Sequence, residues 1–331
     1  MAKILLTGGA GYIGSHTNLA LSESGHETIV FDNLSTGFER AVDGDLVIGD
    51  LLEKDSIEEL LRRERFDIVI HFAAKTFVGE SFENPSKYWN NNVVGTRNLL
   101  DAMARFGPDK IVFSSNCALY GEPAYVPIDE DHPLAPLNPY DKTKLVCEWM
   151  IEDEGRSNGL RYANLRYFNA VGADPKGRLG LLAPNHPQLL NVCLDVSLGV
   201  KQKLLVFGDD YPTPDGTCIR DYIHVTDLAE AHLKAAELLL DDDGSFVLNL
   251  GSGHGYSVKE VVEAVEKEID IKLPVDIAPR RSGDPAVLVA DPGEAANILG
   301  WKPRLTDLET IVETAYRWRV ANLEGDANTS R

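Results

Sequence analysis

Tyr140 and Lys144 stand four residues apart in NPYDKTKLVCEWM, and Asn116 ends an apolar run in FSSNCALYG further upstream. Asn138 followed by Pro139 is a helix-start signature, and from there the four-residue spacing puts phenol and ammonium on one helix face. A free tyrosine ionises near pH 10, so making it a proton acceptor at neutral pH takes roughly 4 kcal/mol of preferential phenolate stabilisation. A neighbouring ammonium and a bound cation supply charge of the right sign. Tyrosine and lysine at this spacing also occur by chance as a surface pair, so the pair gains meaning from what accompanies it.

The first companion is TGGAGYIGSH, which sets Gly8, Gly11 and Gly14 between an apolar run and the start of a helical pattern. Glycines there permit a tight turn and let backbone N–H groups approach a pyrophosphate, whose charge the helix N-terminus favours. The second is Asp32, ending the next run in VFDNLS, eighteen residues after Gly14. A carboxylate at that place accepts hydrogen bonds from ribose hydroxyls and repels a 2′-phosphate, which favours NAD over NADP. Asp50, in GDL after the third run, could meet the adenine amino group, although a plain strand-end turn explains it equally.

The elements that must hold these residues follow from the apolar pattern. AKILLTG, ETIVFDN, DLVIGDL, FDIVIHFAA, DKIVFSSN and YANLRYFNAVG alternate with helical periodicity through residue 172. That rhythm predicts α/β architecture: a Rossmann-type doubly wound parallel sheet with helices on both faces. Gly25 suits the end of the first helix, and Asp55 with Glu58 suits the cap of another. Beyond residue 172, Pro- and Gly-rich loops mix with short strands and helices. This predicts a smaller mixed α/β portion over 173–320, with KLLVFG and SFVLNLG (within 204–250) as strands that could rejoin the main sheet. Residues 321–331 read as a frayed tail.

The chain has 331 residues and a formal charge of −20, so its surface as a whole repels nucleic-acid backbones and anionic lipid. Its N-terminal apolar run is too short for a signal segment or a membrane span. Four widely spaced cysteines (Cys117, Cys147, Cys193, Cys218) form no CxxC pair, and the eight histidines show no metal-ligand spacing. A cytoplasmic protein without a metal is expected, and His224 reads as structural.

With these segments in view, the chain resembles the extended short-chain dehydrogenase/reductase family, most closely its UDP-glucose 4-epimerases. The resemblance runs through TGGAGYIGSH, DNLS, HFAAKTFVGES, NNVVGT, FSSNCALYG, PYDKTK, RYFNAVGADP, DGTCIRDYIHVTDLA, LNLGSG and RRSGDPAVLVAD. It implies that Tyr12, Ile13, Asn33, Leu51, Phe72, Ala73, Ala74, Asn91, Ser114 and Tyr167 join Gly8, Gly11, Gly14, Asp32, Asp50, Tyr140 and Lys144 around NAD. It also implies that Asn169, Phe207, Arg220, Arg281, Asp284 and Leu288 join Asn116 and Tyr140 around a UDP-sugar. Arg220 and Arg281 would grip the diphosphate, as guanidinium forks suit phosphate oxygens, and Asp284 would take the uridine ribose. A structural salt bridge is the other reading of either arginine. The implied reaction removes hydride from C4 while Tyr140 takes the hydroxyl proton, then returns hydride to the other face of the 4-keto sugar. A homodimer is implied too, with the Tyr140 helix packed beside NNVVGTRNLLDAMARF.

Asn116 departs from the pattern, which has Ser or Thr there. An amide donates and accepts hydrogen bonds but relays protons poorly. Ser115 is no substitute, because a continuing strand turns it to the opposite face. Three readings follow: an epimerase in which Tyr140 acts directly and Asn116 orients the sugar, a binder of NAD and nucleotide sugar that barely turns over, or a dehydratase or decarboxylase. The last needs acids at Cys117 and Ala118, and neither serves. Leu288 leaves the choice between plain and N-acetyl sugars open, and RLGLLAPNHPQLLNV is expected to cover the sugar. Lys75 and Thr76 stand where a subgroup carries a lysine one place later, with no role assigned.

Overall fold

The computed structural model describes residues 1–183, 186–241, 244–281 and 283–327. Its first half alternates β1 (Lys3–Thr7), α1 (Tyr12–Glu23), β2 (Glu27–Asp32), β3 (Asp45–Ile48), α2 (Lys54–Arg63), β4 (Ile68–His71), α3 (Val78–Glu83), α4 (Pro85–Tyr88), α5 (Gly95–Phe106), β5 (Lys110–Asn116), α6 (Pro139–Asn158) and β6 (Arg161–Tyr167). There follow β7 (Asn169–Val171), α7 (Leu189–Ser197), β8 (Leu204–Phe207), β9 (Ile219–His224), α8 (Val225–Asp241), β10 (Phe246–Leu250), β11 (Gly255–Ser257), α9 (Val258–Ile269), β12 (Val275–Ala278), β13 (Val287–Leu288), α10 (Gly293–Leu299) and α11 (Leu308–Ala327).

Seven strands make one sheet in the order β10-β6-β5-β4-β1-β2-β3, every neighbouring pair parallel. Strand period two divides its core. Ile4, Leu6, Ile70 and Val112 face Leu228, Ala235 and Leu239 of α8, whereas Leu5, Val69, Ile111 and Phe113 face Leu60 of α2, Leu99 and Met103 of α5 and Ile151 of α6. Both faces are therefore covered, which is why these strands read as unbroken apolar runs.

The structure departs from the sequence-based expectations at several places. YANLRYFNAVG is two strands, because β7 leaves the main sheet to pair with β9. SFVLNLG does join the sheet beside β6, whereas KLLVFG pairs with β12 in a two-stranded sheet of its own. Asp55 lies in the first turn of α2 rather than at its cap, where Glu53 makes no side-chain bond. Gly25 follows α1 with φ +83°, the left-handed conformation a helix stop favours. The helix expected over NNVVGTRNLLDAMARF opens with a wider, π-type turn at Trp89–Val94 before α5 begins. The end of the chain expected to fray is helical to Ala327, and 328–331 lie outside the described residues.

Behind the carboxyl ends of β5 and β6 sits a buried ion pair. Arg166 Nη2 donates to Glu148 Oε2 at 2.7 Å, Ser115 Oγ donates to Glu148 Oε1 at 2.5 Å, and Arg166 Nη1 reaches the Tyr120 hydroxyl at 3.2 Å. Side-chain exposure is 6% for Arg166 and 0% for Glu148, so either charge alone would be stranded without water. Arg166→Met should lower unfolding free energy by about 3–5 kcal/mol in chemical denaturation, and adding Glu148→Leu should recover most of that loss. Equal stability of the single and double variants would contradict this reading of the pair.

Candidate active site

A cavity of about 470 Å³ opens over the carboxyl ends of β1, β2, β4 and β5. Its floor is the turn from β1 into α1. Gly8 has φ +75°, and a Cβ there would come within 2.4 Å of Ala73 N, beyond the end of β4; a Cβ on Gly14 would lie 2.5 Å from Gly8 O. Only glycine lets the turn sit this close, and the closeness leaves the first amides of α1, from Gly11 through Tyr12 and Ile13, bordering the cavity.

At one end stands Asp32. Its carboxylate accepts from Ala10 N at 3.1 Å and Leu34 N at 2.8 Å, and burial pushes its pKa up against those bonds. Asn33 donates to Asp50 at 2.8 Å, with Leu51 alongside, and Lys75 reaches across to Ser35 Oγ at 2.7 Å. Phe72, Ala73 and Ala74 form the middle wall. The π-type turn brings in Asn91 and buries Asn92, whose amide bridges Lys75 O at 3.1 Å and Thr143 Oγ1 at 2.9 Å, tying that wall to α6.

At the other end, Asn138 caps α6 by accepting from Asp141 N at 2.9 Å. That start aims Tyr140 and Lys144 into the cavity. Lys144 Nζ donates to Ser114 O at 2.6 Å, and Ser114 Oγ lies 2.5 Å from the Tyr167 hydroxyl. Burial lowers the Lys144 pKa to about 8 and raises that of Tyr140 well above its ordinary value, with Tyr167 adding to the rise and the Asn116 side chain opposing it. The phenolate is expected to draw on Lys144 and a bound cation together, and the structure sets the lysine's ammonium against the Ser114 carbonyl. The ammonium donates to that backbone carbonyl, and burial disfavours the Tyr140 phenolate. A cation placed beside Tyr140 would favour its ionisation.

All seventeen residues expected around NAD border this one cavity. The glycine floor, the α1 amides and a buried acid, Asp32, on the same wall fit a dinucleotide. Apart from Tyr140, the residues expected around the sugar lie outside its lining. Asn116 ends β5 beside Tyr140, and its Oδ1 is buried without a protein partner. Asn169 opens β7, and Leu288 pairs in register with Arg220 on β9. Arg220 bonds to Asp284, and the Arg281 guanidinium stacks 3.8 Å from the Phe207 ring centroid. Arg220 therefore carries a salt bridge, the alternative reading of that residue, and its partner is another of the expected substrate groups. The segment expected to cover the sugar contributes Leu181, Ala183, His186 and Gln188 to the cavity, while Pro184 and Asn185 lie outside the described residues.

Sequence reasoning left Lys75 without a role and missed Tyr88, whose ring lies edge-on to Tyr140 at 6.2 Å, and Asp141. Nothing in local spacing marks Tyr88, since α4 carries it there. The signal for Asp141 was available: an acid directly after the tyrosine in the first turn of a capped helix. Cys117 is buried, with its pKa pushed up to about 12, and offers no acid for a later step. His224 is buried with Nε2 3.1 Å from Thr314 Oγ1. Among the described residues no helix is long and apolar enough to cross a membrane.

Known proteins of this architecture bear directly on the cavity. Residues 4–251 match the model of the NAD dependent epimerase/dehydratase family. The chain is 49% identical over 323 residues to a UDP-glucose 4-epimerase of Halalkalibacterium halodurans, covering 97% of each chain. It superposes with TM-score 0.93 on the UDP-glucose 4-epimerase of Brucella ovis in complex with NAD, at 46% identity over 96% of this chain and 98% of that one. It superposes with TM-score 0.94 on a UDP-glucose-4-epimerase of Stenotrophomonas maltophila with bound NAD and formylated UDP-arabinopyranose, at 38% identity over 98% of this chain and all of the other. A glycine floor, a ribose acid and a Tyr–Lys helix on this sheet, in a chain so similar over its whole length, place it in the NAD-dependent epimerase/dehydratase family, among the UDP-glucose 4-epimerases.

Proposed function

We propose that the chain interconverts the C4 epimers of a UDP-sugar of the UDP-glucose/UDP-galactose type, with NAD as its bound cofactor. The convergence of Tyr140 and Lys144 at one end of a glycine-floored cavity, with the unpartnered Asn116 carbonyl beside Tyr140, carries this reading. NAD bound there supplies a reversible hydride acceptor, so that the sugar passes through a transient 4-keto form. Tyr140 takes and returns the proton of the sugar 4-hydroxyl. Lys144, fixed to Ser114 O, holds positive charge beneath the ribose, and Asp32 holds the far ribose. Relatives named as 4-epimerases favour turnover over mere binding at the Asn116 site.

Arg220 and Arg281 serve the diphosphate, Asp284 the uridine ribose and Phe207 the base, while Asn169 and Leu288 shape the sugar end. Residues 1–172 hold mainly the cofactor and 173–320 mainly the nucleotide sugar. The chain works as a homodimer through the side of α5 and α6, where Val94, Phe106 and Trp149 stand exposed. Its four free cysteines suit a reducing cytoplasm.

The direct test is conversion of UDP-galactose and UDP-glucose, with their N-acetyl forms alongside, by the purified protein with NAD. The unaltered chain should interconvert at least one C4 pair; conversion by Asn116→Thr alone would make Asn116 a catalytic block and the chain a binder. Tyr140→Phe should lower kcat by about 10²–10⁴-fold while bound NAD, read by absorbance after release, stays near one per chain. Gly8→Ala should instead lose the NAD itself, since its Cβ collides with Ala73 N. NAD retained in full by that variant would contradict the placement of the pyrophosphate over this turn.

A further inference from the structure

Asp141 is a carboxyl with 1% exposure, placed directly after Tyr140, and among the described residues no basic side chain lies within ion-pair reach of it. Its neighbours are amides. Asn138 Nδ2 donates to Oδ2, and Asn116 Nδ2 approaches Oδ1 at 3.5 Å. Asn116 lies between this carboxyl and Tyr140, is 7% exposed, and leaves its own Oδ1 without a partner. An amide has two chemically opposite ends, and only its surroundings decide which end points where. A buried carbonyl oxygen with no donor is costly unless a ligand completes it.

We propose that Asp141 is a positioning residue for Asn116: its carboxylate holds the amide N–H₂ inward and so turns the carbonyl oxygen toward the reacting sugar, where it accepts a hydrogen bond from a sugar hydroxyl beside Tyr140. This rests on the epimerase reading for the identity of the ligand, but the amide's orientation belongs to the free protein. A hydroxyl at position 116 would need no such holder, since it rotates to donate or accept. Asn116 and Asp141 thus act as one unit in which the second residue makes the first usable.

The pair also responds to pH. Facing Asp141 are Asn138 from the loop before α6, Asn116 from β5, Cys117 from the turn after β5 and Tyr140 from its own helix; burial raises the Asp141 pKa to about 7. When protonated, Asp141 can donate to the Asn116 carbonyl and no longer holds the N–H₂ inward. The imposed orientation is therefore present above that pKa and lost as pH falls through it.

The bland alternative is that Asp141 merely stabilises the first turn of α6. A mutant cycle separates the two. Asp141→Asn should lower kcat about tenfold in the unaltered chain, with little change in KM, and less than twofold in an Asn116→Thr background. Equal losses in both backgrounds would overturn the proposal. Independently, the side-chain amide signals of Asn116 in selectively ¹⁵N-labelled, NAD-loaded protein, identified by their absence in Asn116→Thr, should titrate near neutral pH and stop doing so in Asp141→Asn. Signals that ignore pH in the parent would overturn it as well. If they titrate while no UDP-sugar is turned over, the positioning stands and the epimerase reading falls.

Discussion

Alternation along one strand governs this molecule. At the carboxyl end of β5, Ser114 and Asn116 lie on one side and Ser115 on the other, because successive side chains of a strand must oppose each other. Ser114 meets Tyr167 and borders the cavity, Asn116 meets Tyr140, and Ser115 turns away to Glu148 and its arginine. A slip of one residue would exchange reacting groups for packing groups. The ion pair behind Ser115 is thus more than a stabilising contact: it ties β5, α6 and β6 together in the register that presents Asn116 and Tyr140 to the same space.

Burial sets the proton chemistry at the Tyr140 end of the cavity. Burial lifts Tyr140, depresses Lys144 and lifts Asp141, three shifts with one cause. At about 8 Lys144 still carries most of its charge at neutral pH, so the burial that disfavours the Tyr140 phenolate leaves the ammonium in place. The surface, at −20, is strongly acidic, yet the residues proposed to meet phosphate are arginines held in place by local partners: Asp284 for Arg220 and the Phe207 ring for Arg281. Local pairing keeps their forks oriented against a repulsive overall field.

Much of the cofactor end was legible in the sequence because short-range rules place it. Three glycines between strand and helix, an acid at the next strand end, and Tyr–Lys on a capped helix each follow from local geometry. The sugar end was less legible. Which way β8 would pair, that β7 would leave its sheet for β9, and that Arg220 would meet Asp284 sixty-four residues away are decided by tertiary packing. The end of the chain, read as frayed from its polarity, is helical to Ala327. Asp141 was overlooked because a carboxylate in a first helical turn ordinarily faces water, and only the three-dimensional arrangement shows that it does not.

The high pKa of Tyr140 in the free chain reaches beyond proton transfer. A cation beside the phenol favours loss of its proton, and by reciprocity loss of that proton favours the cation. An oxidised nicotinamide ring carries such a charge and its reduced form does not. With the nicotinamide placed beside Tyr140 as proposed, the protein would hold the oxidised form more tightly as Tyr140 ionises and relatively less tightly when it is protonated. On that placement one buried hydroxyl would couple the redox potential of the bound cofactor to pH, and the cavity wall would take part in electron transfer as well as give the site its shape.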